Sequence, residues 1–314
     1  MNHNIPWIES PFFEQELSGA DLTDAEKQMV KSYAEDGYII IDPEIDEAII
    51  DHTVAYMSQL KLDNRHLPVN LQNRVQDAWK NNTHVKQIAT APKVVRLLEL
   101  LYRRKPIPFQ TLNFVEGTQQ RTHSDMIHFS SIPERFMCGV WVALEDVHEN
   151  NGPLHYYPGS HKMKFFDMLD MGVRGSESKK MKNVYMDYSD FYENFIEEVV
   201  KSQQLKKKTL HIKKGQALVW AANLLHGGEK ILQPGTTRFS QVTHYYFENC
   251  LYYTPLFSDL GIRKMFLRKI VDINTGKVVP NRYMDKTVHR SVFDRITQFL
   301  PQSLRSGIHG ILKK

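Results

Sequence analysis

The middle of the chain reads Phe109-Gln110-Thr111-Leu112-Asn113-Phe114, where apolar and polar side chains alternate. Such alternation is typical of a β-strand with one buried face. Residues 136–147, 216–221 and 239–247 also have strand-like sequences, and turn sequences such as that of residues 150–153 separate them. We therefore expect several antiparallel strands in the second half of the chain. Their spacing is that of a jelly roll rather than of alternating strand–helix units.

The first hundred residues have a helical pattern instead. Thr23 and Glu26 form a capping box that begins a helix, and Gly37 ends it. Apolar residues with helical spacing follow in 44–60 and again after Pro92. Helices followed by strands predict an α+β fold with a sandwich or barrel core.

Composition excludes several classes of protein. Of the 314 residues, 41% are hydrophobic and 24% are charged, so the chain can bury a core and does not have the composition of a disordered protein. A net charge of +4 is too small to indicate nucleic-acid binding. No apolar run approaches the roughly 18–20 residues of a membrane span. We expect a single domain over residues 1–314, with neither a nucleic-acid partner nor an integral membrane segment.

Two observations bear on cellular location. Cys138 and Cys250 are the only cysteines, and two cysteines cannot form a disulfide framework. The first residues lack the basic and apolar regions of a signal peptide. Both observations favour a cytoplasmic protein, and the oligomeric state stays open.

The β-rich core is expected over about residues 105–250. A long polar section within it, residues 163–206, is interpreted as a lid-like insertion, and residues 251–314 as a C-terminal extension. Lysines cluster at 206–208 and at 213 and 214. Such a run is most often a solvated surface; its functional interpretation is the capture of an anionic substrate.

Three residues have the pattern of a metal site: His123, Asp125 and His226. His123 and Asp125 are two residues apart, so in an extended chain their side chains point to the same face. His226 follows the strand-like stretch about a hundred residues later. Two imidazoles and one carboxylate are the ligand set of the facial triad that binds non-haem Fe(II). A His-x-Asp pair is also common as a structural or surface element, so the pattern needs support.

Support comes from Arg238 and Ser240, which share one face of the last predicted strand. A guanidinium is a two-pronged donor for a carboxylate, and a hydroxyl can add another hydrogen bond. A dicarboxylate such as 2-oxoglutarate would chelate iron through its 2-oxo acid end and leave its far carboxylate for this clamp. The alternative is that Arg238 is an ordinary surface residue of the strand.

These motifs together resemble the phytanoyl-CoA dioxygenase (PhyH) family of Fe(II)/2-oxoglutarate-dependent oxygenases. The resemblance extends over roughly residues 105–250 in order and spacing, and the helical front end is also similar. It is carried by residues 123–125, 141–147, 151–154, 157–162, 214–215, 225–228 and 238–240.

The resemblance implies a double-stranded β-helix, a jelly-roll or cupin-like core, with N-terminal helices packed on it. It implies that His123, Asp125 and His226 bind Fe(II), that Arg238 binds 2-oxoglutarate, and that O2 is the other cosubstrate. Trp141 stands where the family has an aromatic residue beside the cosubstrate.

One position departs from the family pattern. Members often have a hydroxyl residue two positions after the distal histidine, where this chain has Gly228. Ser240, Thr111 or a water would then supply the missing hydrogen bond. Because Gln110 and Asn113 are three apart, only one of them can point straight into the barrel without a bulge. We place Asn113 near 2-oxoglutarate and Gln110 nearer the substrate.

Two histidines are candidates for the substrate side of the pocket. His244 shares the strand face of Arg238 by parity, and His128 follows the metal motif closely. For both, a structural role is the alternative. His161 and Trp220 are interpreted as structural residues.

The function that the resemblance implies is hydroxylation of an unactivated C–H bond in a small-molecule metabolite, with release of succinate and CO2. The lysine run favours an anionic substrate. Asp125 favours hydroxylation over halogenation, because related halogenases have a small residue at the carboxylate position. Desaturation, epimerisation and ring formation by the same chemistry stay open. The alternatives are a zinc-dependent hydrolase, since zinc accepts the same ligands, and a non-catalytic binding module on the same barrel.

Overall fold

The computed structural model describes residues 4–60, 74–178 and 188–290. Its α-helices are α1 (Phe13–Ser18), α2 (Asp24–Asp36), α3 (Glu47–Gln59), α4 (Thr83–Ala89), α5 (Pro92–Tyr102), α6 (Gly175–Ser178) and α7 (Asn194–Ser202). A π-helical segment, Tyr188–Glu193, leads into α7.

The strands follow the same order along the chain. They are β1 (Tyr38–Ile41), β2 (Arg74–Gln76), β3 (Pro106–Phe114), β4 (Ser130–Ile132), β5 (Met137–Ala143), β6 (Leu154–Tyr156), β7 (Lys208–Thr209), β8 (Ala217–Ala221), β9 (His226–Gly228), β10 (Ser240–Phe247), β11 (Leu251–Tyr253), β12 (Ile270–Val271), β13 (Val278–Val279), β14 (Asn281–Tyr283) and β15 (Lys286–Val288).

The predicted helix boundaries are confirmed where the sequence carried a capping signal. The Thr23 side chain accepts from the Glu26 backbone N–H, and the Glu26 carboxylate accepts from the Thr23 N–H, which is the expected capping box of α2. Gly37 ends α2 with a left-handed φ of 78°. Pro92 occupies the first turn of α5, where its missing N–H costs no hydrogen bond.

The α+β prediction is confirmed, with antiparallel pairing throughout the main sheet. That sheet has six strands in the order β1-β8-β5-β10-β3-β2, and a second sheet has the order β7-β6-β9. Strands distant in sequence are neighbours in both sheets, as in a jelly roll and unlike strand–helix–strand units.

Successive residues of the main sheet serve two different cores. Val140 belongs to the core under the helices, together with Leu98 of α5 and Tyr245 of β10. The next residue, Trp141, faces the other way and packs in a cluster with Leu154 of the small sheet. Strand alternation thus gives one face to the helices and the other to the space between the sheets, where the site lies.

The insertion and the extension pack against each other in their described parts. Ile196 of α7 and Leu256 share one apolar cluster, and Asp259 accepts hydrogen bonds from the backbone N–H groups of Gly175 and Ser176 at 3.0 Å. Residues 179–187 of the predicted insertion and 291–314 of the predicted extension lie outside the described residues. No helix in the described ranges has the length and apolar composition that a membrane span requires.

His161 is locked between α2 and the start of the insertion. It is 2% exposed, and its Nε2–H donates to the Ala34 carbonyl at 3.2 Å. A Cβ at Gly37 would lie 2.3 Å from His161 Nδ1, so glycine at that position makes room for the ring. Burial lowers the pKa of His161 to about 4. These contacts agree with the structural role expected for this histidine.

We predict that His161 makes the fold acid-sensitive. Its folded pKa, about 4, is below the unfolded value of about 6.5, so the unfolded chain binds the proton more readily. The stabilisation is therefore complete above pH 6.5 and is lost as the pH falls toward 4, by up to about 3 kcal/mol. The free energy of unfolding of the wild type and of His161→Gln, measured with urea at several pH values, tests this prediction. Parallel pH curves for the two proteins would contradict the prediction.

Candidate active site

The three predicted metal-binding side chains meet between the sheets. Backbone hydrogen bonds pair His123 with His226: His123 N–H donates to the His226 carbonyl at 2.9 Å, and His226 N–H donates to the His123 carbonyl at 3.0 Å. Asp125 lies just after this bridge, in a short 3-10 turn. The Nε2 atoms of both histidines lie 3.9 Å from Asp125 Oδ1. Ligands bound at about 2.1 Å to one ion are about 3 to 4 Å apart, so the set fits a metal ion.

Both histidines are held in the tautomer that a metal needs. His123 Nδ1–H donates to the Arg121 carbonyl at 2.9 Å, and His226 Nδ1–H donates to the Leu224 carbonyl at 3.0 Å. The proton therefore sits on Nδ1, and each Nε2 carries the lone pair that a metal ion would bind. Burial, helped by the neighbouring His226, lowers the pKa of His123 to about 3, so this ring is neutral at physiological pH.

Asp125 is oriented by a hydrogen bond on its far side. The Trp220 indole N–H donates to Asp125 Oδ2 at 2.8 Å, and His244 Nε2 lies 3.6 Å from the same oxygen. Oδ1 is left facing the two histidines. Burial raises the pKa of Asp125, but His226, His244 and His123 outweigh it and hold the pKa below its ordinary value. The carboxylate is therefore ionised, as a metal ligand must be.

Trp220 is a residue whose role the sequence did not reveal. We expected it to be core, and it is buried, but its N–H reaches the carboxylate of the triad. Gly139, its cross-strand partner on β5, gives the indole its place: a Cβ there would lie 2.3 Å from the Trp220 ring. The pairing of Gly139 with Trp220 would have indicated this role, but it is known only once the strand register is known.

A cavity of about 590 Å³ surrounds the triad. This volume lies within the range of about 300–1,000 Å³ typical of small-molecule sites. Apolar residues from both sheets line one part of it, among them Leu112, Phe114, Leu154 and Val242.

Arg238 lines the same cavity and is 1% exposed. Its Nη1–H donates to the Gly152 carbonyl at 2.8 Å, while its Nε has no hydrogen-bond partner in the described part of the chain. Within residues 4–60, 74–178 and 188–290, no carboxylate forms a salt bridge with it. Burial lowers its pKa to about 10, so the guanidinium still carries its charge at neutral pH. A buried cation without an anionic partner is costly, which makes this arrangement suitable for an anionic ligand.

The other predicted 2-oxoglutarate contacts differ in whether they line the cavity. Trp141 lines the cavity, and the Arg238 guanidinium lies 5.4 Å from its ring centroid. Ser240 is fully buried but is not among the residues lining the cavity, and its hydroxyl faces the Arg238 carbonyl at 3.4 Å.

The expected position of Asn113 and Thr111 is wrong. Cross-strand partners share a face, and the register pairs Asn113 with Gln241 and Thr111 with Thr243, on the side away from the cavity. The Asn113 side-chain amide donates to Gln241 Oε1 at 3.1 Å. Along this part of β3 the even-numbered residues face the cavity and the odd-numbered ones face away from it. Thr111 therefore does not supply the hydroxyl that position 228 lacks.

The same alternation brings the predicted substrate residues to the cavity. Gln110 and His244 are register partners on β3 and β10, and both line it. His128 lines it as well, with its ring 4.9 Å from that of Tyr188. Burial lowers the pKa of His128 to about 4, with Arg268 and Arg74 among the further causes.

The lysine run does not reach the cavity. Lys207 pairs with Glu229 at 2.5 Å and Lys213 with Asp146 at 2.8 Å, and the lysines of the run are absent from the cavity lining. Lys214 contacts two carboxylates of α3. These are surface ion pairs, so the functional interpretation of the run as a substrate trap receives no support.

We predict that the Trp220 N–H contributes to metal affinity. Trp220→Phe keeps a ring in place but removes the donor to Asp125, and loss of such an outer hydrogen bond typically weakens metal binding about 10- to 100-fold. Competition for Fe(II) with a chromophoric chelator under anaerobic conditions gives the dissociation constant. Trp79→Phe is the matched control, because the Trp79 N–H also donates to a carboxylate, Asp77, away from the site. Equal affinities in the two variants would contradict the prediction.

Comparison with known proteins agrees with the motifs. A family model described as phytanoyl-CoA dioxygenase (PhyH) matches residues 25–238. The zebrafish (Danio rerio) phytanoyl-CoA dioxygenase domain-containing protein 1 is 32% identical over 80 residues, which are 24% of this chain. The aligned stretch spans only 28% of that relative's length.

Solved structures share the fold at low sequence identity. The non-heme alpha ketoglutarate dependent epimerase SnoN from nogalamycin biosynthesis superposes with a TM-score of 0.54 at 18% identity, covering 73% of this chain and 85% of that one. EctD from S. alaskensis with bound Fe superposes with a TM-score of 0.56 at 16% identity, covering 76% and 81%. At these identities the superpositions establish a common fold.

Proposed function

Because the chain belongs to the phytanoyl-CoA dioxygenase (PhyH) family, we propose that it is a dioxygenase that hydroxylates an unactivated C–H bond of a small-molecule metabolite and releases succinate and CO2. The oxygenase class and the cofactors, Fe(II) and 2-oxoglutarate, follow from the family; the reaction outcome, the ligand assignments and the class of substrate are what we propose. The two sheets that enclose the cavity would together form a double-stranded β-helix. A cytoplasmic location belongs to the same proposal, supported by two buried cysteines that form no disulfide.

The observation that carries the proposal is the pairing of the triad with Arg238 in one cavity. A metal site alone would be equally consistent with zinc hydrolysis. A buried, charged guanidinium without a carboxylate partner in the described residues needs an anion. The far carboxylate of 2-oxoglutarate supplies that anion when its other end is on the metal.

In the mechanism that we propose, the protein contributes positioning and exclusion of water. His123, Asp125 and His226 would hold iron through Nε2, Oδ1 and Nε2. When bound, Fe(II) together with 2-oxoglutarate and O2 supplies the oxidising power for C–H hydroxylation. Arg238 would bind the far carboxylate, with the Trp141 ring beside it.

Two further features of the chain support this arrangement. Apolar side chains around the clamp, such as Phe114 and Val242, keep water from the charged groups and so strengthen their interaction. Trp220 fixes the rotation of the Asp125 carboxylate, which leaves Oδ1 for the metal. Neither feature is needed for a non-catalytic binding module.

We predict that the cofactor complex can be observed without knowing the substrate. Addition of 2-oxoglutarate to the anaerobic Fe(II) protein is expected to give a weak visible charge-transfer band. The band is expected to be absent in Asp125→Ala, which lacks the one oxygen among the three proposed metal ligands. Visible absorption of the two proteins, with circular dichroism as the control for folding, makes the measurement. Well-folded wild-type protein that binds Fe(II) but shows no band would overturn the proposal and favour the zinc hydrolase.

A second prediction concerns the Arg238 clamp. Truncating one partner of a buried charged pair typically costs 2–5 kcal/mol, so Arg238→Met is expected to weaken 2-oxoglutarate binding by at least about 30-fold. Without 2-oxoglutarate the same variant is expected to be as stable as the wild type or more so, because it removes an unpaired buried charge. Thermal unfolding with and without 2-oxoglutarate tests both statements. Arg238→Lys keeps the charge but not the two-pronged donor, so its affinity for 2-oxoglutarate is expected to lie between those of the wild type and of Arg238→Met.

A further inference from the structure

The cavity extends beyond the triad into a part built by the C-terminal extension. Thr254, Leu256, Phe257 and Arg268 line it, and all four lie outside residues 25–238, the range that the family model matches. Nothing in the motifs of the barrel therefore determines the chemistry of this end.

Arg268 is held in the cavity wall by hydrogen bonds from its Nη1 and by a contact with the face of its guanidinium. Its Nη1–H donates to Thr254 Oγ1 at 3.0 Å and approaches the His128 carbonyl at 3.5 Å. Its guanidinium lies 4.7 Å from the ring centroid of Phe129, a cation–π contact. Within the described ranges, Nε has no hydrogen-bond partner and no carboxylate forms a salt bridge with this side chain. A guanidinium is a two-pronged donor for carboxylates and phosphates, and this one has unused donor capacity at Nε.

Arg268 and Arg238 lie at opposite ends of the cavity. Arg238 precedes β10 and packs beside Trp141, whereas His244 is six residues further along the strand, about 20 Å away in an extended chain. The Phe129 ring, on which Arg268 stacks, contacts the His244 ring at 4.8 Å between centroids. Asp125 of the triad lies beside the same ring, since His244 Nε2 is 3.6 Å from its Oδ2.

The charges of the cavity do not balance with 2-oxoglutarate alone. Three arginines, Arg74, Arg238 and Arg268, line it, and Asp125 is the sole carboxylate among the lining residues that the structure describes. A divalent metal on Asp125 together with doubly charged 2-oxoglutarate on Arg238 sums to zero. Arg268 at the other end then adds positive charge that this ligand set does not neutralise, and a positively charged cavity attracts an anionic ligand.

We propose that Arg268 binds an anionic group of the substrate, a carboxylate or a phosphate, so that the C-terminal extension selects the substrate. This inference rests on the proposed function and names the substrate class for the same site. Phe129 lies against Arg268, and Phe257 lines the same cavity, so we expect the anionic group to be attached to an apolar or aromatic body. When Arg268 holds the charged end of the substrate, the distance along the substrate from that charge determines which carbon faces the triad.

The test compares charged and neutral probes of nearly the same shape. Wild-type protein is loaded anaerobically with Fe(II) and saturating 2-oxoglutarate and titrated by calorimetry with phenylacetate, phenyl phosphate or phenylacetamide. At least one anion is expected to bind 10-fold or more tightly than the neutral amide. In Arg268→Met, binding of that anion is expected to weaken at least 10-fold while binding of the amide is unchanged. Arg174→Met, which removes an exposed arginine paired with Glu177, is the matched control.

The visible band of the Fe(II)–2-oxoglutarate complex separates this inference from the proposed function. An unchanged band in Arg268→Met shows that the variant is folded and that the loss concerns the probe alone. If the wild type gives no band, the proposed function fails, and titration of the metal-free protein still decides the role of Arg268. If Arg268→Met does not fold, Arg268→Lys, which keeps charge and stacking but lacks the two-pronged donor, takes its place. Equal binding of anion and amide, absence of anion binding, or unweakened binding in the variant overturns the inference.

Discussion

The site depends on a pair of backbone hydrogen bonds between two segments about a hundred residues apart. His123 and His226 exchange both N–H to carbonyl bonds, so their positions are fixed by the chain itself and not by a bound ion. The same bridge continues the small sheet, in which His226 pairs with Tyr156. Because each imidazole is also anchored through Nδ1 to a carbonyl two residues earlier, folding of the barrel already sets the geometry of two of the three proposed metal ligands.

A second constraint is the two-residue period of the strands, which explains most of what the sequence could predict. It predicted that His244 shares the strand face of Arg238, and both residues line the cavity. The period was also sufficient to show that Gln110 and Asn113 face opposite sides, but not which of them faces inward. That choice depends on the helical core. The Gln241 amide donates to the Val85 carbonyl of α4, and the Asn113 amide donates to Gln241, so both side chains lie on the helix side of the sheet. The sequence contains no local signal for this contact.

Other parts of the site lay beyond a reading of the sequence for different reasons. Arg268 belongs to the extension, where no motif repeats a known pattern, and only the fold brings it beside Phe129. The basic run was visible in the sequence, yet three of its lysines, Lys207, Lys213 and Lys214, pair locally with acidic residues of other segments. Charge along the chain was therefore a poor guide to charge in the cavity, because ion pairs form between segments distant in sequence. The metal motif was predictable since its spacing is short and the chemistry of its ligands is restrictive.

The contact between Gly139 and Trp220 also has a consequence for variation of this protein. A side chain at position 139 and an indole at position 220 compete for one volume, and the indole is what orients Asp125. Substitutions at these two sites therefore cannot be independent: a larger residue on β5 becomes tolerable only after the residue on β8 has become smaller, and that change releases the carboxylate. Strong epistasis is thus expected between two buried positions, neither of which is a proposed metal ligand. A larger residue can become fixed at position 139 only after a substitution at position 220 has removed the hydrogen bond that orients Asp125.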